Sequence, residues 1–212
     1  EAKRKSELKA LQSQINPHFL YNTLDSIIWM AEGRKYEEVV LMTASLARLL
    51  RQSISNEDEV VPLAREVEYA KGYLTIQKMR YKDKLEFEID VEPSILNIPL
   101  IKLVLQPIIE NAIYHGLKYK ESKGLLQVKG FMKDGNAVLQ VIDNGVGMDE
   151  ETLEHIYDKH KVNYHSNGVG VYNVQKRLQL YYGESYGITY ESEKGVGTTA
   201  TITIPGIQEE SI

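Results

Sequence analysis

The chain has 212 residues, 42% of them hydrophobic and 26% charged, with a net charge of -5. That is enough for one large domain or two small ones with a real core, and it excludes the basic footprint of a nucleic-acid binder. Without cysteine there is no disulfide framework and no thiolate metal site, and a reducing compartment fits.

The chain opens EAKRKSELKALQSQ with no initiator Met and reads as a piece of something longer, entered in mid-helix. No apolar run approaches the ~20 residues needed to cross a bilayer, and no signal peptide is visible. Residues 3–32 hold no Gly and only Pro17, which predicts one long helix. At about 100° per residue, Leu8, Leu11 and Ile15 form one stripe, and Leu20, Leu24, Ile27 and Ala31 form another on the far side. The buried face is expected to switch near Pro17, with His18 off the second stripe, and Gly33 is expected to end the helix. A second helix carries Val39, Met42, Leu46 and Leu49 at three- and four-residue steps. Such a hairpin buries little alone, so pairing with a second copy into a four-helix bundle is expected. Ser55 to Glu59 is polar and reads as a linker between a hairpin at 1–57 and a second domain at 58–212.

Beyond Pro62 a helix over about 63–81 is followed by the alternating strand LEFEIDVEP. Pro99 is expected to start a helix running to about Leu117. Strands near 125–132, 136–142, 186–192 and 197–204 and helices near 150–157 and 170–182 complete an α+β pattern without strict alternation.

Three short motifs occur in order. ENAIYHG, Glu110 to Gly116, places Asn111 and His115 four apart on one helix face, so both could reach one pocket. By itself this fits helix capping or packing better. DNGVGM, Asp143 to Met148, sets a carboxylate at a strand end before two glycines, as a tight turn or a close backbone approach requires. NGVGVYNV, Asn167 to Val174, leads Gly168 and Gly170 into a helix, where exposed N–H groups favour phosphate. It is not a dinucleotide fingerprint, since Asn173 stands at the third glycine, and no P-loop sequence exists. Gly195-Val196-Gly197-Thr198-Thr199 then precedes the last strand.

In this order, ENAIYHG, DNGVGM, GVGVYN and GVGTT resemble the N, G1, G2 and G3 boxes of the GHKL, or Bergerat, ATP-binding fold. INPHFLYN, Ile15 to Asn22, resembles the phospho-acceptor box of the LytS/YesM-like branch of sensor histidine kinases. The resemblance covers about residues 12–205. It implies a dimerising helical hairpin followed by a Bergerat-type α/β sandwich. It also implies ATP and Mg²⁺ as cofactors, a response-regulator receiver domain as partner, and a membrane-embedded sensor region upstream of this cytoplasmic portion. By the same resemblance Asn111 holds Mg²⁺, and Asp143 accepts from the adenine amino group. Gly145 and Gly147 keep the pocket wall low, Gly168 and Gly170 end a lid over about 149–167, and Thr199 lies near the adenine. His115 is carried with the nucleotide set. Lys159, Lys161 and His165 in the lid could reach phosphates or form a solvated face.

His18 is then the expected nucleophile. An imidazole of ordinary pKa near 6.5 keeps a free lone pair at neutral pH. Pro17, inside a continuous helix, would free the carbonyl of Ser13 and bend the helix there, either as a passive kink or as a control on access to His18. Two departures from the family pattern stand out. Many histidine kinases carry an acid directly after the acceptor His, whereas this chain has Phe19, so Glu110 becomes the candidate base. Hydrolytic relatives carry a Glu four residues before the N-box Asn, whereas this chain has Pro107, which favours transfer to protein over hydrolysis. The alternative reading is a degenerate nucleotide-binding signalling module without kinase activity.

Overall fold

The computed structural model describes residues 16–54, 60–156 and 168–206. The stripe of Leu8, Leu11 and Ile15, the linker 55–59, and Lys159, Lys161 and His165 lie outside the described residues. The chain divides into two compact units. One holds the N-terminal helices together with Lys71–Lys82, and the other holds Val60–Ala70 and the chain from Asp83 onward.

Helix α1 spans Pro17–Glu32 and α2 spans Tyr36–Ile54. The proline is therefore the first helical residue, a correction to the expected mid-helix kink. Asn16 before it is extended, with φ -62° and ψ 116°, which is the conformation a following proline favours. Its side chain accepts the His18 N–H at 3.0 Å, and its carbonyl accepts the Leu20 N–H at 3.1 Å. A proline at this position gives up only a donor that would have had no helical partner. The buried face of α1 also differs from the expected stripe by one position. Phe19, Thr23 and Met30 are buried, while Leu24 and Ala31 are exposed. Thr23 tolerates burial because its hydroxyl donates to the Phe19 carbonyl at 2.7 Å. The turn after α1 uses Arg34, at φ +57°, as its left-handed residue, following Gly33.

On α2, Met42, Leu46 and Leu49 are buried as their spacing predicts. Helix α3 spans Leu63–Tyr81, and its second half packs with α1 and α2. Phe19 sets its ring against Tyr73 with centroids 4.7 Å apart. Gln77 donates to the Tyr73 hydroxyl at 2.8 Å and accepts from Arg80 at 2.8 Å, so the polar atoms in this core are bonded to one another.

The second unit is an α+β fold. Strands β2 (Leu85–Val91), β4 (Gly124–Lys133), β5 (Asn136–Asp143), β6 (Gly187–Glu193) and β7 (Gly197–Pro205) form a sheet in the order β2-β4-β5-β7-β6. Only β2 and β4 are parallel. Leu126, Val128, Leu139, Val141, Ala200 and Ile202 fill the covered face, and Thr199, Thr201 and Thr203 alternate onto the other. A separate antiparallel pair joins β1 (Val60–Pro62), directly before α3, to β3 (Pro99–Ile101), after it. Pro99 thus lies in a strand rather than at a helix start. Helix α4 begins only at Leu105 and runs to Asn111, and the chain continues as a π-helical turn, Ala112–Leu117. Helices α5 (Glu150–Glu154) and α6 (Gly168–Tyr182) complete the unit, with α4 and α6 packed together over the sheet.

Candidate functional site

One cavity in the second unit gathers most of the residues that the motifs single out. Asn111 and His115 reach it from α4 and the π-turn, Asp143 from the end of β5, Gly147 from the following loop and Thr198 from β7. Its apolar walls come from Ile108, Val141, Met148, Ile156, Val171 and Ala200.

Asp143 is the buried polar anchor. Its Oδ1 accepts the Gly145 N–H at 2.8 Å, which folds the loop back on the carboxylate. Burial pushes its carboxyl up to about 6, although the Gly145 and Thr198 N–H groups and the Lys120 charge pull the other way. Three glycines make this anchor possible. A Cβ on Gly145 would collide with the Gly116 backbone, one on Gly147 (φ +65°) with the Glu193 carbonyl, and one on Gly197 with the Asp143 carbonyl. The π-turn brings Gly116 under the loop, where its carbonyl accepts the Val146 N–H at 3.0 Å. Ser192 fastens the loop from the other side, accepting the Met148 N–H at 2.8 Å while its Oγ lies 2.8 Å from the Thr198 Oγ1.

Asn111 lines the same cavity from the end of α4. Its Oδ1 is buried and has no hydrogen-bond partner among the described residues. A buried amide oxygen left unbonded costs about 1–3 kcal/mol unless something outside the chain binds it. Lone amide oxygens suit a hard cation that keeps most of its waters, so the residues present fit Mg²⁺. Among the described residues no cluster of three His, Cys, Asp or Glu could hold a metal by itself. His115 lines the cavity with part of its ring outside, and burial, then Lys118, lowers its imidazole from the usual range.

Not every expected residue arrives. Thr199 faces away, because β7 alternates its side chains and Thr198 takes the cavity side. Gly145 stands one layer behind the wall, against Gly116. Gly168 and Gly170 lie in the first turn of α6. Glu110 is absent from the cavity lining. Its Oε1 accepts from Gln106 at 2.7 Å, and burial raises its carboxyl despite that bond. Gly116, Ser192 and Thr198 escaped the sequence reading, although Gly116 and Thr198 sit inside quoted motifs and strand alternation could have favoured Thr198 over Thr199.

His18 lies at the start of α1, in the other unit. It is exposed, with its ring beside the Asn22 amide nitrogen, which stands 3.1 Å from Nδ1 and 3.3 Å from Nε2. The Nδ1 contact is the shorter, and a turn of helix separates the two residues. Phe19, the residue after His18, is buried.

The cavity lies between helices and the mixed sheet and is lined by Asn111 and a glycine-framed Asp143. Residues 97–208 match the family described as histidine kinase-, DNA gyrase B- and HSP90-like ATPases, and the chain belongs to that family. Residues 6–85 match the histidine kinase family model. The chain is 38% identical to the sensor histidine kinase YesM of Bacillus subtilis (strain 168), over 95% of this chain and 34% of that protein. It is 33% identical to the sensor protein LytS of Oceanobacillus iheyensis, over 85% of this chain and 31% of that protein. The chain therefore spans about a third of the length of these curated relatives. In fold it is similar to the histidine kinase domain of a blue-light activated histidine kinase from Erythrobacter litoralis EL346, with TM-score 0.53, 16% identity, and 97% of this chain and 96% of that one covered. The catalytic domain of histidine kinase ThkA gives TM-score 0.53 at 15% identity, covering 69% of this chain and 94% of that one. No described helix is long and apolar enough to cross a membrane.

Proposed function

We propose that the chain is the ATP-dependent core of a protein-histidine kinase, in which His18 accepts the terminal phosphoryl group of ATP and passes it to an aspartate of a receiver domain. The observation that carries this reading is the buried, unbonded Asn111 Oδ1 in a cavity that the Asp143 carboxylate also lines. Asp143 would accept from the adenine amino group, with Gly147 and Thr198 forming the wall beside the base. Asn111 would hold Mg²⁺ together with phosphate oxygens, and Gly168 and Gly170 would stand near the phosphates at the start of α6. Magnesium supplies charge neutralisation at the phosphates when bound. Met148, Ile156 and Val171 exclude water from the base.

In the transfer, a lone pair on a ring nitrogen of His18 forms the N–P bond as the bond from phosphorus to the leaving oxygen of ADP breaks. The proton on the second ring nitrogen then leaves to a base, for which Glu110 is proposed, since burial raises its affinity for protons. Residues 1–57 would act as the dimerisation and phosphotransfer hairpin and 58–212 as the ATP-binding domain. Trp29, Tyr36 and Val40 are 79%, 66% and 68% exposed, an apolar surface suited to a second copy of the hairpin. The chain would be the cytoplasmic portion of a longer, membrane-embedded sensor.

Incubation with Mg²⁺ and ATP labelled on its terminal phosphate tests the reading. Acid-labile, alkali-stable label on the protein, lost in His18→Gln, supports it. Tight ATP binding without label would instead identify a binding module that transmits conformation only.

A further inference from the structure

Glu66 is a buried carboxylate that the proposed transfer does not use. It projects from the first half of α3 into the segment joining β3 to α4. Its Oε1 accepts the Leu103 N–H at 2.9 Å, and its Oε2 accepts those of Val104 at 3.0 Å and Leu105 at 2.9 Å. Leu103 is held at φ +62°, a conformation that a leucine adopts only when its surroundings impose it. From the other side Arg177, on α6, donates to the Lys102 carbonyl at 2.8 Å and to that of Leu103 at 3.5 Å. Burial raises the Glu66 carboxyl, while the three N–H groups and the nearby Arg177 charge favour its ionised form. A charged acceptor of three backbone donors is a strong and directional anchor. It fixes where α4 begins, and α4 ends at Asn111.

We propose that Glu66 is a positioning residue for the metal end of the nucleotide cavity, setting Asn111 through α4 while leaving the base end to the sheet. This rests on the nucleotide reading above. Asp143 and Thr198 are paired with each other across β5 and β7, and the anchor reaches them only indirectly, through the π-turn and Gly116. Asn111, at the end of α4, depends on the anchor more directly. A global loss of packing would weaken both sides of the cavity alike, whereas loss of the anchor weakens chiefly the metal-dependent part.

Titration calorimetry on the whole chain reads this directly, with three probes: adenosine, ATP in EDTA, and ATP with Mg²⁺. In Glu66→Gln, where an amide group opposes at least one N–H donor, the gain in ATP affinity on adding Mg²⁺ falls at least about tenfold, and adenosine affinity stays within about twofold. Arg177→Gln, which loses the carbonyl contacts of the same segment and the charge beside Glu66, shows the same split in smaller measure and serves if Glu66→Gln does not fold. Equal loss for all three probes, or an unchanged Mg²⁺ effect in a folded variant, overturns the proposal and leaves the nucleotide reading standing. A wild-type chain with no Mg²⁺-dependent ATP binding overturns both.

Discussion

Gly116 lies so close to Asp143 that a Cβ on Gly116 would stand 2.7 Å from the carboxylate Oδ1. The π-turn and the loop after β5 are thus fitted to each other at the one point where no side chain can intervene. Gly116→Ala must push the carboxylate out of line, because the nearest atoms belong to a short, buried side chain already bonded to Gly145. The expected cost is about 1–3 kcal/mol of stability. Nucleotide affinity should fall by tenfold or more, on the order of 1.4 kcal/mol. Thermal unfolding and fluorescent-nucleotide titration check the two parts separately.

Asp143 itself carries a signed pH dependence. Its folded pKa of about 6 lies above the ordinary 3.8, so between those values the folded chain binds the proton more readily than the unfolded one. Stability from this group is therefore present at low pH, falls as pH rises through that window, and stays low above it. Asp143→Asn should remove this dependence and raise stability at pH 8 by about 1–3 kcal/mol, an upper range from the size of the shift. The same substitution should abolish nucleotide binding. Denaturant unfolding of both proteins at pH 5 and pH 8 decides it, and an unchanged difference between the two pH values would contradict the assignment.

Asn111 offers the opposite trade. Replacing it with leucine of similar size removes a buried oxygen that has no partner within the described residues. Stability should hold or rise by about 1 kcal/mol, while Mg²⁺-dependent ATP affinity is lost. A large drop in melting temperature for Asn111→Leu would show that the amide is bonded within the protein after all.

Phe19 directly follows the proposed acceptor His18 and is a core residue against Tyr73. Phe19→Ala should cost about 3–5 kcal/mol through the cavity it leaves. Phe19→Glu should destabilise on a similar scale, about 3–5 kcal/mol, by burying an unpaired charge, and should not accelerate phosphorylation. Far-UV circular dichroism against denaturant, followed by a labelling assay, separates the two effects.

Pro17→Ala is expected to change stability by less than about 1 kcal/mol, since the residue begins α1 rather than interrupting it. A gain near 3 kcal/mol would instead mark a helix interior. The same variant should label at the wild-type rate if the proline merely starts the helix.

The strands of the second unit were legible because period-two alternation and glycine punctuation leave few choices, and β4, β5, β6 and β7 fall within about a residue or two of their expected limits. The three motifs were legible as well, since each pairs a chemical group with the glycines that let backbone approach it. Pro99 misled, because proline opens helices and edge strands alike, and only pairing with Val60–Pro62 distinguishes them. The α1 stripe slipped by one position for a related reason. Leu24, Ile28 and Trp29 are apolar and exposed, so hydrophobic spacing by itself marks two faces and cannot say which one meets the neighbouring helix within the chain.

What residue order determined was the inventory: two helices near the start, one of them carrying a histidine off its apolar stripe, then an α+β unit with an Asn, an Asp and three glycine-rich corners in sequence. Those features depend on local rules of chain geometry and survive without knowledge of distant contacts. Tertiary structure alone decided that Asn111 Oδ1 is left unbonded, that Thr198 rather than Thr199 meets the cavity, and that Glu66 fastens the start of a helix some forty residues onward. Each is a matter of which groups meet across long stretches of chain, and burial gives such meetings their energetic weight.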